Sequence, residues 1–93
     1  MTSYVANHQK KLKYLARREI ELLRTLQPGK SDSDVSAAAE EVRAARARVL
    51  QVQYSRISPC EKNEHRLKEM QEQIELCQAT PIGDIIAEFQ RRA

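Results

Sequence analysis

Val35, Ala38, Val42, Ala45, Val49 and Val52 recur at alternating intervals of three and four residues. That interval is the a/d repeat of a heptad, and it puts all six side chains on one stripe of an α-helix. The stripe is thin. Valine and alanine let a neighbouring helix approach to the short end of the usual range of about 8–10 Å. The pattern therefore predicts a central helix over about 33–56 with other helices packed closely around it. Its opposite face carries Glu40, Glu41, Arg43, Arg46 and Arg48 and reads as solvated.

The flanking segments read as helices too. A first helix is expected over about 3–26, capped by Thr2 or Ser3. Its stripe is Val5, His8, Leu12, Leu15, Glu19, Leu22 and Leu26, widened by Ala16, Ile20 and Leu23. Gln27-Pro28-Gly29-Lys30 ends it, because Pro28 disfavours the helical conformation at Gln27 and Gly29 tolerates a left-handed turn. Ser31 with Asp34 three residues on forms a loose capping box for the central helix, and Ser33 or Asp34 offers an alternative cap. At Ser58-Pro59-Cys60-Glu61 the pattern is cap, first-turn proline and capping-box acid, so a third helix is expected over about 59–79. The phase agrees. The central seam projects to 56, 59, 63 and 66, whereas the next apolar stripe is Cys60, Asn63, Leu67, Met70, Ile74 and Cys77. Thr80-Pro81 repeats the start signal and opens a short amphipathic helix over about 81–91, with Arg91 and Arg92 at the end where cations are favoured. The expected fold is all-α: an antiparallel, coiled-coil-like three-helix bundle plus this short helix, which folds across an open end or docks on a partner. It forms one helical domain over 1–93.

Composition limits the core. Tyr4, Tyr14, Tyr54 and Phe89 are the aromatic residues, so the interior must rest on Leu, Val, Ile and Ala. A sparse core favours oligomerisation, and a homodimer through the apolar stripes of helices 1 and 3, or through helix 4, is the expectation. Charge is uneven. Residues 1–27 hold six bases against Glu19 and Glu21, while residues 58–93 hold five bases and seven acids. Basic helix 1 is therefore expected to pack beside acidic helix 3, within the bundle or across a dimer. The apolar runs fall short of the roughly 20 residues of a membrane span, and residues 1–13 lack the apolar stretch of a signal peptide. Cys60 and Cys77, if on one helix, lie about 25 Å apart along its axis and cannot bridge each other there. Both fall on the seam as small buried hydrophobes. These features point to the cytoplasm.

Chemistry-bearing patterns are few. His8 and His65 are the histidines, and neither joins the paired ligands that zinc requires. Glu61 and His65, at i and i+4, do not match the Glu-x-x-His pairs of a di-iron bundle. The glycines, Gly29 and Gly83, build no phosphate loop. Metal, cofactor and catalytic residues are accordingly expected to be absent. The leading reading is a non-enzymatic protein–protein interaction module with a scaffold, adaptor or assembly role. Ile82, Ile85, Ile86 and Phe89 are its candidate partner anchors, with a second copy or another helical protein as partner. One alternative is a nucleic-acid-binding protein using Lys10, Lys13, Arg17, Arg43, Arg46 and Arg48 to neutralise phosphates. A second is a small all-helical enzyme with a charged pocket between subunits, in which arginines clamp a dicarboxylate or phosphate.

Overall fold

The computed structural model describes residues 2–92, with side chains from Tyr4 onward. Among the described residues the chain forms four α-helices: α1 (Thr2–Thr25), α2 (Asp32–Arg56), α3 (Glu64–Ala79) and α4 (Ile82–Arg92). It is the all-α helical bundle that the periodicity predicts. The expected caps Thr2 and Ser3 lie outside the described side chains.

The first connection follows its local chemistry. Gly29 takes a left-handed φ of +95°, the conformation that a side chain would penalise. Among the candidate caps the structure selects Ser31, which is extended and accepts a hydrogen bond from the Asp34 backbone N–H at 3.2 Å. Asp32 and Asp34 occupy the first turn of α2, where the positive end of the helix dipole favours them.

The two proline connections depart from expectation. Ser58 and Pro59 do not open α3. Cys60 is extended, residues 61–63 form a single 3₁₀ turn, and the α-helix begins at Glu64. Local bonds hold the turn instead of a helical first turn: the Cys60 N–H donates to the Ser58 carbonyl and the Asn63 N–H to the Cys60 carbonyl, each at 2.9 Å. The Asn63 side-chain amide closes this loop by donating to the Ser58 carbonyl at 3.0 Å. Thr80 likewise does not cap α4. Its hydroxyl donates back to the Leu76 carbonyl at 2.8 Å, closing the end of α3.

α2 is the element that the others share. α1, α3 and α4 all pack on it, and α4 also touches α1. Residue pairs set the directions: His8 with Gln53 and Glu19 with Arg46 make α1 antiparallel to α2, and Cys77 with Arg43 does the same for α3. Among the described residues α1 and α3 make no close backbone approach. They lie on opposite flanks of α2. The backbone therefore spans 52 × 27 × 19 Å, a flattened layer. This corrects one expectation: basic α1 does not pack beside acidic α3 within the chain.

The seam is dry. Ala38, Val42, Ala45, Val49 and Val52 are buried and Val35 is half-buried. Ala39 and Ala47, off the seam, are buried as well, since α4 and α3 cover further sides of α2. The principal core cluster joins Leu22 of α1, Ala38, Ala39 and Val42 of α2, and Ile85 and Phe89 of α4. α4 thus crosses the α1–α2 groove at the Gly29 end and supplies the bulk that the thin seam lacks.

α1 buries most of the expected stripe, with His8, Leu15, Glu19, Leu22 and Leu26 covered, but the inward face is rotated from it. Val5, Leu12 and Ile20 are exposed, while Tyr4, His8, Lys11, Leu15, Arg18 and Leu22 turn towards α2. Away from α4 the contact is made by flat and cationic groups. The Tyr4 and His8 rings stack at 5.8 Å, Arg56 lies over Tyr4 at 5.0 Å, and Tyr14 lies under Arg18 at 4.9 Å and Arg48 at 5.9 Å. Each such cation–π contact contributes roughly 0.5–1 kcal/mol at an exposed site.

Val42→Asp tests the seam. Val42 is 0% exposed, and a carboxylate there has no partner, so the variant is expected to lose several kcal/mol and unfold. Val5→Asp, at a position 54% exposed, should stay within about 0.5 kcal/mol of the parent. Thermal melts followed by circular dichroism read both. An unchanged melting temperature in Val42→Asp would mean that the seam faces water.

Candidate interaction surfaces

Three surfaces gather the chemistry-bearing side chains. The first is the ion-pair network that fixes α4. Arg46 is half-buried and donates twice to Glu88, at 2.7 and 3.1 Å, in the bidentate geometry that suits a guanidinium. Its Nη2 also reaches Glu19 of α1 at 3.5 Å. Arg92 bonds Glu88 at 3.0 Å and approaches Glu19 at 3.6 Å. Both guanidiniums lie over the Phe89 ring, at 5.5 and 4.5 Å. Three helices therefore meet around two carboxylates and two arginines. The hydrogen bond from Arg46 holds the Glu88 carboxyl below its ordinary range, helped by the charges of Arg46, Arg92 and Arg91 and opposed by burial. Arg46 is raised in turn, chiefly by Glu88.

The second surface is the flank formed by α3. Its apolar stripe, Leu67, Met70, Ile74 and Cys77, is half-buried, and every residue of the helix keeps some surface in water. Leu76 is 70% exposed. Beside the stripe runs an open groove of about 430 Å³, floored by Tyr54 and Leu67 and edged by Glu64, Lys68, Glu72 and Glu75. The third surface is the outer edge of α1, where Lys10, Lys13, Arg17 and Arg24 are exposed around Ile20.

A second concavity, about 620 Å³, lies on α2 between Glu40, Glu41, Arg43, Arg48, Gln51 and Gln78 over Ala44 and Ala47. It holds the convergent charges that an enzyme reading requires, but most are engaged by the chain itself. Arg43 donates to the Thr80 carbonyl at 2.9 Å. Glu41 accepts from the Tyr14 hydroxyl at 3.4 Å, and Arg48 lies over the Tyr14 ring.

The residues singled out from sequence fall as follows. Of the partner anchors, Ile85 and Phe89 are buried in the chain's own core and Ile82 and Ile86 pack against it. In this conformation that face closes the bundle and is not open to a partner. The six-residue cationic face is not assembled either. Lys10, Lys13 and Arg17 are exposed on α1, whereas Arg43 and Arg46 are turned into internal bonds. Reading Arg43 and Arg46 as solvated was incorrect, because α3 and α4 cover that side of α2. Cys60 is exposed rather than on the seam, a consequence of the displaced start of α3. Cys77 is half-buried, and burial pushes its thiol pKa up against the pull of Arg46 and Arg43. His65 pairs with Glu69 at 2.9 Å on the surface. Glu19, Glu88 and Arg92 were missed as a cluster. The available signal was Glu19 itself, an acid on a predicted apolar stripe, which calls for a buried cation opposite.

Glu88→Gln tests the network through pH. A carboxyl held low when folded contributes stability that is complete above its unfolded pKa and is lost as pH falls through its folded pKa. The melting-temperature advantage of the parent over Glu88→Gln should therefore be flat above about pH 5–6 and shrink below about pH 4. A difference independent of pH from 7 to 3 would remove the network from the account of stability. Among the described residues no helix is long and apolar enough to cross a membrane. No family model, no curated protein and no solved structure matches the chain.

Proposed function

We propose that this chain is a helical protein–protein interaction module with a scaffold, adaptor or assembly role, acting through helix–helix contact. The observation that carries the reading is the α3 flank. A helix packed on one neighbour alone leaves its apolar stripe half-covered, sets Leu76 in water and opens a groove floored by Tyr54 and Leu67. An apolar floor with a charged rim is the usual build of a helix-docking surface. The reading moves the interaction site from α4, whose anchors close the chain's own core, to α3.

Photo-crosslinking in the producing cell tests it. A photoreactive residue at position 76 should give a discrete crosslinked species, and one at the exposed Ser36, on α2, should not. No discrete species from position 76, or equal products from both positions, would overturn the proposal.

A further inference from the structure

Resting on that reading, we infer that the α3 flank docks the outer edge of α1 from a second copy of this chain, antiparallel, so that copies add edge to edge. The chain carries two complementary edges that its own fold keeps apart. α1 and α3 lie on opposite flanks of α2 and cannot meet within one molecule.

The complementarity extends to single charges. Along the exposed face of α1 run Lys13, Arg17, Glu21 and Arg24. Along the groove face of α3, read backwards, run Glu75, Glu72, Lys68 and Glu64. In an antiparallel register Lys13 meets Glu75, Arg17 meets Glu72, Glu21 meets Lys68 and Arg24 meets Glu64. The single acid in the basic row falls opposite the single base in the acidic row. Both rows run over twelve residues, eleven rises of the helix, about 16 Å or three turns. In the same register Ile20, half exposed at 50%, falls opposite Leu67 and the Tyr54 floor of the groove. The contact thus has an apolar centre and a charged rim.

Two consequences fix what the assembly looks like. The contact is heterologous: each copy that docks its α1 still offers a bare α3, so growth continues as a ring or an open row and does not stop at a dimer. One helix pair three turns long is also far smaller than a standard interface of about 1,600 Å². Association is therefore weak, and salt reduces it.

Sedimentation velocity on the full chain, with zero-length carbodiimide crosslinking, tests this. The expected result is a concentration-dependent ladder beyond dimer mass, weakened about tenfold or more between 0.05 and 0.5 M NaCl. The coupled peptides should include Lys13 joined to Glu75 and Lys68 joined to Glu21 in oligomer bands and not in monomer. K13E/R17E/R24E and E64K/E72K/E75K should each lose self-association, and their equimolar mixture should regain it, because each then supplies the other's missing edge. If either triple variant fails to show parental helicity, the matching glutamine triple replaces it and should also lose self-association. A chain monomeric to about 1 mM, a mixture of folded variants that stays monomeric, or salt-sensitive retention on RNA without self-association would overturn the inference. A monomeric chain that still crosslinks from position 76 to a different protein overturns this inference alone. The loss of that crosslink overturns the reading beneath it.

Discussion

The fold depends on the narrowness of α2. A seam of alanine and valine gives little apolar area, but it lets other helices come close on several sides at once. All three other helices pack on α2, and α1 and α3 do not pack on each other. Close approach replaces bulk. The arrangement is also unforgiving, since a larger or charged side chain at Val42 or Ala45 has nowhere to go while α1 remains seated.

A thin seam needs large side chains from elsewhere, and α4 brings them. Phe89 and Ile85 fill the groove between α1 and α2 at the Gly29 end. Arg46, Glu88, Arg92 and Glu19 fix the angle at which α4 lies. These pairs remain partly in water, where ion pairs contribute little net energy. Their effect is on orientation: a bidentate Arg46–Glu88 pair allows few other placements of α4. Towards the other end, Tyr4, His8 and Tyr14 with their arginines do what α4 does at the first. A chain poor in aromatics thus spends each of these rings on the α1–α2–α4 contacts.

The seam of α2 was legible because alanine and valine at heptad spacing mark one stripe. The Ser31 cap and the Gly29 turn were legible for the same local reasons. α1 was misread in part, because several of its inward residues are amphipathic. Tyr4, Lys11 and Arg18 bury ring or aliphatic stem while keeping a polar tip at the edge, so a polar–apolar count places them outside. Arg43 and Arg46 were misread because no local pattern reveals that α3 and α4 cover that side of α2. The charge asymmetry between α1 and α3 was plain in the sequence. That α2 separates them was not, because it depends on which flank each neighbour takes.

α3 is held on one side by α2 and at its ends by two anchored turns, the Ser58–Asn63 loop and the Arg43 bond to Thr80. The core cluster of α1, α2 and α4 includes none of its side chains. Lifting α3 away would leave that cluster standing, and the displaced segment would stay tethered at both ends, which limits the entropy it gains. The molecule is therefore built as a stable three-helix clasp carrying one helical flap. The amides of residues 64–79 should therefore open as one unit and exchange with solvent ahead of those in α2.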